Sequence, residues 1–427
     1  MAIRFRTVSQ SKHSIRFSGR INSQAVQEFM PVLESVASRN YKEIVLDLRD
    51  ANRAYPDGVL PIICILDQWR ARGHQFRVLL PEAAMLRQLF LNANWGHFLD
   101  PSSHPKIDMQ HPQHLAARRY STHPEQQEAV SAVLDVVLRT LDLRRDVISA
   151  LEWTINEITD NVLNHAKAPA GGLVELNTFS EERKITFVVA DGGRGIPVAM
   201  RERFTHLNDA AAIDEAVKQG VTSIPESGQG NGLAGSLRIA KYAQGSFKVA
   251  SGGAQLCVFK DPRAARYKTQ KSGRGFQLPG TLVMIELSTA ADFDVEEALA
   301  LDGAVRSVTD VVDLRYVGAS GDLVLRICDE ALGVGTRHAG VELRRKCMNL
   351  LNAEPTKKLI LDWTDVPLVS SSFADEAVGK LFVDLGPTTF AARVGHAGTE
   401  PLVRSLLDRA VMQRVAQSMG VLGGTDG

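Results

Sequence analysis

A glycine-rich segment near the middle of the chain most limits what this sequence can fold into. It reads Gly228-Gln-Gly230-Asn-Gly232-Leu-Ala-Gly235, and the helical pattern SLRIAKYA follows directly. Glycines let the backbone approach a ligand closely, and N–H groups at a helix start attract anions, so the segment predicts a phosphate-binding loop. No Gly-Lys-Ser/Thr follows, and the preceding residues are loop-like, so neither the Walker loop nor the usual dinucleotide loop fits.

An upstream helical segment, RRDVISALEWTINEITDNVLNHA, has a polar face. Glu157 and Asn161 are four residues apart and Asn164 is three further on, so at 3.6 residues per turn they share that face. The opposite face is apolar, with Val147, Leu151, Ile155, Ile158 and Val162. A solvated face of an amphipathic helix would use the same residue types, so this helix alone leaves both interpretations open.

Two further motifs lie at strand ends. Asp191-Gly-Gly193-Arg-Gly195 follows the apolar strand ITFVVA, which places one carboxylate at the edge of a sheet beside a glycine turn. Ordinary turns use the same residues. Gly280-Thr281 opens the last strand pattern of this part of the chain.

In this order the four motifs resemble the N, G1, G2 and G3 boxes of the GHKL superfamily of Bergerat-fold ATP-binding proteins. The resemblance covers roughly residues 145–290. Within the superfamily, DLRRDVISALEWTINEITDNVLNHA is most similar to the anti-sigma-factor serine kinase branch. The phrase KQGVTSIPESGQGNGLAG is typical of the mobile ATP lid.

The resemblance implies that the module binds ATP with Mg²⁺. Asn161 would coordinate Mg²⁺ through its amide oxygen, and Asp191 would accept a hydrogen bond from the adenine amine, helped by Thr281 through an ordered water. Gly193 and Gly195 would shape the adenine pocket.

The resemblance also implies how the phosphates are held and attacked. The residues assigned to the phosphate end of the nucleotide site are Gly228, Gly230, Gly232 and Leu233. Glu157 would orient or deprotonate the attacking water or hydroxyl. Asn164, also placed in the nucleotide site, stands where many family members carry lysine or arginine, so slow turnover is expected.

The two ends of the chain show strand–helix alternation. In the N-terminal part it predicts a mixed α/β domain with a largely parallel sheet, and this part resembles a STAS domain. At the turn where STAS domains carry an acceptor serine, this chain has Asp57. Asp57 is either a charged stand-in for a phosphoserine or an ordinary turn residue.

The C-terminal part resembles a STAS-like family of unknown function, on the stretch LILDWTDVPLVSSSFADEAVGKLF. Ser371 and Ser372 lie at the acceptor position of that family, so they are candidate phosphoacceptors. The same serines suit the start of a helix, where serine caps free N–H groups, and capping explains them without phosphate.

These patterns predict an α/β chain in which a Bergerat-type ATPase sandwich lies between two STAS-like domains. The predicted bounds are 1–100 for the N-terminal STAS-like domain, 101–114 for a linker, 115–290 for the ATPase domain and 291–427 for the C-terminal domain.

Charge and hydropathy limit the partners. The chain has 49 basic and 49 acidic residues, which gives no bulk attraction to nucleic acid or a membrane. A weak basic loop at 260–274 could contact phosphates but is also explained as a solvated hairpin. With no secretory signal and no long apolar run, a cytoplasmic protein is expected.

Three functions fit the sequence. The first is a slow Mg-dependent ATPase or serine-kinase-like switch that controls a protein partner, which a neighbouring gene could encode; a homodimer is left open. The second is a non-catalytic ATP-binding module. The third is a histidine-kinase-type enzyme, although His165 lies within the nucleotide helix itself and no other histidine has the expected context.

Overall fold

The three-dimensional structure is a computed structural model. It describes residues 7–39, 41, 43–107, 113–218, 232–260, 267–272, 277–299, 315–331 and 333–418. The chain forms two compact units, one made of residues 1–133 and 153–306 and the other of residues 134–152 and 307–427. No helix among the described residues has the length and hydropathy needed to cross a membrane.

The N-terminal layer of the first unit contains a four-stranded sheet in the order β1-β2-β4-β6, with β1 and β2 antiparallel and the others parallel. Its strands are β1 Val8–Ser11, β2 Ser14–Phe17, β3 Gly19–Ile21, β4 Glu43–Asp47, β5 Ala51–Ala54 and β6 Gln75–Leu79. Its helices are α1 Ser23–Ala37, α2 Pro56–Ala71, α3 Ala84–Asn92 and α4 Trp95–Leu99. The predicted alternation of strands and helices is therefore present.

The rest of the first unit is built on a seven-stranded antiparallel sheet in the order β12-β11-β10-β13-β9-β8-β7. The strands are β7 His114–Tyr120, β8 Gly172–Phe179, β9 Lys184–Asp191, β10 Ser246–Gly252, β11 Ala254–Lys260, β12 Tyr267–Ser272 and β13 Leu278–Ser288. Five of these strands match the sequence pattern. The basic segment contributes β12, while Arg263, Arg266 and Arg274 lie outside the described residues.

Helices surround the nucleotide motifs of this sheet. They are α5 His123–Thr140, α6 Arg145–Asn161, α7 Gly195–Arg201, α8 Asp209–Ala216, α9 Gly232–Tyr242 and α10 Val295–Leu299. A π-helical turn, Val162–Ala166, extends α6. The boundary between the two units falls within α5 and α6, so each unit receives part of both helices.

One face of the seven-stranded sheet shares a hydrophobic core with the N-terminal layer. Val188 and Ala190 of β9 belong to the same buried cluster as Val59 and Ile63 of α2. Since alternate residues of a strand point to opposite faces, Val188 and Ala190 mark the face of β9 that this layer covers. Burial of this apolar surface joins the two sheets into one folding unit.

A polar contact crosses the same seam. Trp95 Nε1 donates to Glu175 Oε2 at 2.6 Å. Burial raises the pKa of Glu175 to about 8, so this carboxyl is protonated at neutral pH.

Asp57 has a structural partner in the seven-stranded sheet. It lies in the first turn of α2, and Lys248 Nζ of β10 lies 2.7 Å from its Oδ2. Lys248 also donates to Ser23 Oγ at 2.7 Å, and that hydroxyl donates to Asp57 at 3.0 Å. The Asp57 and Lys248 side chains are only 16% and 17% exposed. The carboxylate at the acceptor position therefore takes part in an ion pair across the seam.

The second unit contains a three-stranded parallel sheet of β14 Leu323–Arg326, β15 Leu359–Asp362 and β16 Val394–Ala397. Its helices are α11 Ile327–Glu330, α12 Arg337–Ala353, α13 Ser371–Ala374, α14 Lys380–Leu385, α15 Pro387–Arg393 and α16 Pro401–Ser418. The sequence pattern predicted one long final strand over TTFAARVGH. This is wrong for its first part, because Pro387 sits at the start of α15, where proline is tolerated.

The cap of α13 also differs from the expectation. The capping side chain is Ser370, whose Oγ accepts from Phe373 N at 3.0 Å. Ser372 Oγ lies 3.1 Å from Ser370 Oγ, and Ser371 is exposed. Capping is therefore one residue earlier than predicted and does not occupy Ser371.

Buried polar groups hold the second unit together. Lys346 of α12 is 1% exposed and pairs with Asp135 at 2.8 Å and with Glu330. Asn349 Nδ2 donates to the carbonyls of Leu138 and Leu141, both at 2.7 Å. These bonds satisfy carbonyls at the end of α5 that the helix itself leaves free.

Removing the cation of the seam is expected to destabilise the first unit. Lys248→Ala leaves the shielded Asp57 carboxylate without its partner and should lower the free energy of unfolding by roughly 2 kcal/mol. Urea titration followed by tryptophan fluorescence measures this loss. Arg118→Ala, which breaks an exposed pair with Glu128, is the control and should cost less than about 0.5 kcal/mol. Equal losses for the two variants would contradict a structural role for Lys248.

Candidate functional site

The end of β9 and the start of β13 meet at the base of the site. Asp191 and Thr281 are partners in the antiparallel register, so the two predicted residues lie side by side. The Asp191 carboxylate is 4% exposed and accepts hydrogen bonds from Gly193 N and from the Thr281 backbone and hydroxyl. Burial raises the pKa of Asp191 to about 6 despite these bonds. The geometry provides an oriented acceptor for a ligand N–H group.

The glycines after Asp191 are required by close packing. A side chain at Gly193 would overlap the carbonyl of Ala166. Gly195 has a φ of +76°, in the left-handed region, and a Cβ there would lie 2.7 Å from Ser251 Oγ. Arg194 N donates to the Ala166 carbonyl at 2.8 Å, which ties this loop to the end of the polar helix segment.

Glu157 and Asn161 of α6 lie against the first residue of α9. A Cβ on Gly232 would be 2.7 Å from Glu157 Oε2 and 3.3 Å from Asn161 Nδ2. A side chain at Gly235 would overlap the Trp153 ring, so α9 packs closely on α6 along its first turn. The structure therefore brings both predicted polar residues to the N-terminus of α9, where free N–H groups favour anions.

Part of the predicted phosphate loop cannot be located. Gly228 and Gly230 lie within residues 219–231, outside the described residues, as does the last part of the predicted lid. Leu233 is placed, and it packs against a small apolar cluster of Met200, Ala212 and Ala216. That cluster belongs to α7 and α8, the described part of the lid.

Asn164 lies beyond the regular part of the polar helix. It is in the π-helical turn, which changes the rotation per residue and so the face on which a side chain emerges. Its Nδ2 donates to Asp160 Oδ2 at 3.0 Å, and the residue is exposed. A role for Asn164 in nucleotide binding stays a prediction.

Ser251 is a site residue that the sequence did not suggest. Its hydroxyl donates to the Gly280 carbonyl at 2.6 Å and accepts from Ile196 N at 2.9 Å. Ser251 lies opposite Thr281 in the sheet register and links the G1 and G3 loops. A serine at a strand end carries no motif, and only the strand order identifies its neighbours.

Comparison with known families gives two matches along the chain. The family of histidine kinase-, DNA gyrase B- and HSP90-like ATPases matches residues 146–291. A STAS-like domain of unknown function matches residues 339–404. A comparison with curated proteins finds no match for the chain.

These matches confirm a GHKL-type ATP-binding domain in the middle of an α/β chain and a STAS-like domain at its C-terminal end. Membership of the anti-sigma-factor kinase branch and the STAS-like character of the N-terminal layer stay predictions.

Nucleotide affinity is expected to fall at acidic pH. With the pKa of Asp191 at about 6, the carboxylate is ionised above that pH and can accept from the adenine amine. As the pH falls through 6, protonation removes this acceptor and affinity drops. Calorimetry with ADP about one unit above and one unit below pH 6 measures the loss. Asp191→Asn is the control, because the titration of the ADP phosphates affects both proteins equally. The same decline in both would contradict the assignment.

Proposed function

We propose that this chain is an ATP-binding regulatory switch that uses Mg²⁺, and that its nucleotide state controls a protein partner through the STAS-like domains. The observation that supports this most is the placement of Glu157 and Asn161 against Gly232 at the start of α9. Two polar side chains thus face the helix N-terminus that follows the glycine-rich loop.

The residues present fit a nucleotide at both ends. At the adenine end, the buried Asp191 carboxylate and the Thr281 hydroxyl form a polar base within an otherwise apolar sheet. At the phosphate end, Gly232 leaves space that a side chain would fill. Asn161 would hold Mg²⁺ through its amide oxygen, and the bound ion would neutralise charge on the phosphates.

Glu157 is the proposed catalytic residue. A carboxylate beside the phosphate end can orient a water or a serine hydroxyl and accept its proton. No cationic side chain stands at the position of Asn164, which agrees with slow turnover. Slow hydrolysis and phosphotransfer to serine share this arrangement, so the product of the reaction distinguishes them.

A non-catalytic module is the second candidate. It would use the same binding residues and keep ATP as a structural ligand. The distinguishing property is turnover, since a purely binding site shows no loss of function when the Glu157 carboxylate is removed. The histidine-kinase alternative would require phosphate on a histidine of this chain.

Removing Asn161 and removing Glu157 should have opposite kinds of effect. Asn161→Ala should weaken Mg-ATP binding at least roughly tenfold, because a Mg²⁺ ligand is lost. Glu157→Ala should keep affinity within a few-fold and cut turnover by about 10² or more. Calorimetry measures binding and a single-turnover phosphate assay measures chemistry.

Asn92→Ala, an amide removed from the N-terminal layer, is the matched control for both measurements and should behave like the wild type. Near-normal Mg-ATP affinity in Asn161→Ala would refute the site assignment. A wild type that binds ATP but never hydrolyses or transfers phosphate would establish the non-catalytic function.

Ser371 and Ser372 test whether the proposed kinase activity acts on the chain itself. Ser370 supplies the helix cap, so we expect Ser370→Ala to cost about 1 kcal/mol and the Ser371/Ser372→Ala double variant to cost less. We expect incubation with Mg-ATP to leave the intact mass of the wild type unchanged. A gain of about 80 Da that both the double variant and Asn161→Ala abolish would instead show self-phosphorylation at this turn.

A further inference from the structure

Gln68, near the C-terminal end of α2, contacts the loop that follows Asp191. Its Nε2 donates to the Gly192 carbonyl at 2.6 Å. A Cβ on Gly192 would lie 2.9 Å from the carbonyl of Cys64, one turn earlier on α2, so helix and loop are in direct backbone contact. The N-terminal layer thus touches the adenine end of the proposed nucleotide site.

The bonds on either side of this loop belong to one peptide group. The Gly192 carbonyl and the Gly193 N–H are joined by the same planar peptide bond and point in opposite directions. The carbonyl accepts from Gln68, while the N–H donates to Asp191 Oδ1 at 2.8 Å. Holding one end of the peptide therefore sets the direction of the other.

We propose that Gln68 is a positioning residue for adenine recognition, which acts through the Gly192–Gly193 peptide to orient the Asp191 carboxylate toward a ligand's 6-amino group. The inference rests on the proposed function of the site as an ATP pocket. It assigns to the N-terminal layer a part in choosing the nucleotide base.

The end of α2 is anchored well enough to serve as a reference point. Asp67, beside Gln68, pairs with Arg119 of β7 at 2.6 Å, and Arg119 also donates to the Ala170 carbonyl at 2.8 Å. Arg70 donates to Asp67 at 3.0 Å and to the Phe98 carbonyl at 3.1 Å. These bonds fix the helix to the strand next to β8, so the Gln68 amide approaches the loop from a rigid element.

Other groups that face Asp191 are neutral near pH 7. Burial raises the pKa of the Cys64 thiol and of the Tyr120 phenol well above their usual values, so neither adds charge beside the carboxylate. The hydrogen bonds from Gly193 and Thr281 therefore orient Asp191 without help from charge on these two groups.

The test compares ADP with purine riboside diphosphate, which lacks the 6-amino group. Gln68→Glu keeps the side-chain shape but removes the donor and sets an oxygen against the Gly192 carbonyl. It should weaken ADP binding roughly tenfold and purine riboside diphosphate binding by less than about threefold. Gln88→Glu makes the same change on the exposed face of α3 and should leave both affinities unchanged.

The outcomes separate this inference from the proposed function. A wild type that binds neither nucleotide refutes the function itself. A wild type that binds ADP, together with equal losses for the two ligands or no loss in Gln68→Glu, overturns the inference alone. If Gln68→Glu fails to fold by circular dichroism, Gln68→Ala removes the donor without adding charge. The same preferential loss of ADP binding is expected of it.

Discussion

The hydrogen-bonded carboxylate at the end of β9 is the interaction on which the site depends. Asp191 is buried, which would favour its neutral form, yet bonds from Gly193 and Thr281 favour the ionised form that a base-reading acceptor needs. Those bonds exist only because β9 and β13 are adjacent in the correct register and because Gly193 fits beneath the Ala166 carbonyl. The sheet, the turn and the end of the polar helix segment are thus all required to keep one charge in place.

Much of the site followed from local sequence patterns. Asp191 and Thr281 stand at strand ends that the apolar runs mark clearly, and the register then brings them together. Glu157 and Asn161 share a face because helical periodicity is regular between them. The glycines could be recognised because only a missing side chain permits the contacts seen at Gly193 and Gly232. Short-range periodicity and turn chemistry are the properties that a sequence displays directly.

Other features depend on contacts between distant segments, which no local pattern reports. Ser251 and Gln68 have ordinary surroundings in the sequence, and only the packing of β10 and α2 brings them to the site. Asn164 was assigned to the polar face by α-helical spacing, whereas the π-helical turn moves it to Asp160. At the other end of the chain, Pro387 begins a helix within a segment whose composition favours a strand.

The shared core of the N-terminal layer and the seven-stranded sheet has a consequence for modularity. The family match begins at residue 146 and ends at 291, but the described folding unit also includes the N-terminal layer, β7 and part of α5. A fragment cut at the family borders would expose Val188, Ala190 and Leu282 to solvent and lose the partner of Lys248. The borders by which such a domain is recognised across proteins are therefore not the borders at which this chain can be divided, and a lineage that lost the N-terminal layer would have to redesign a whole face of its ATPase sheet.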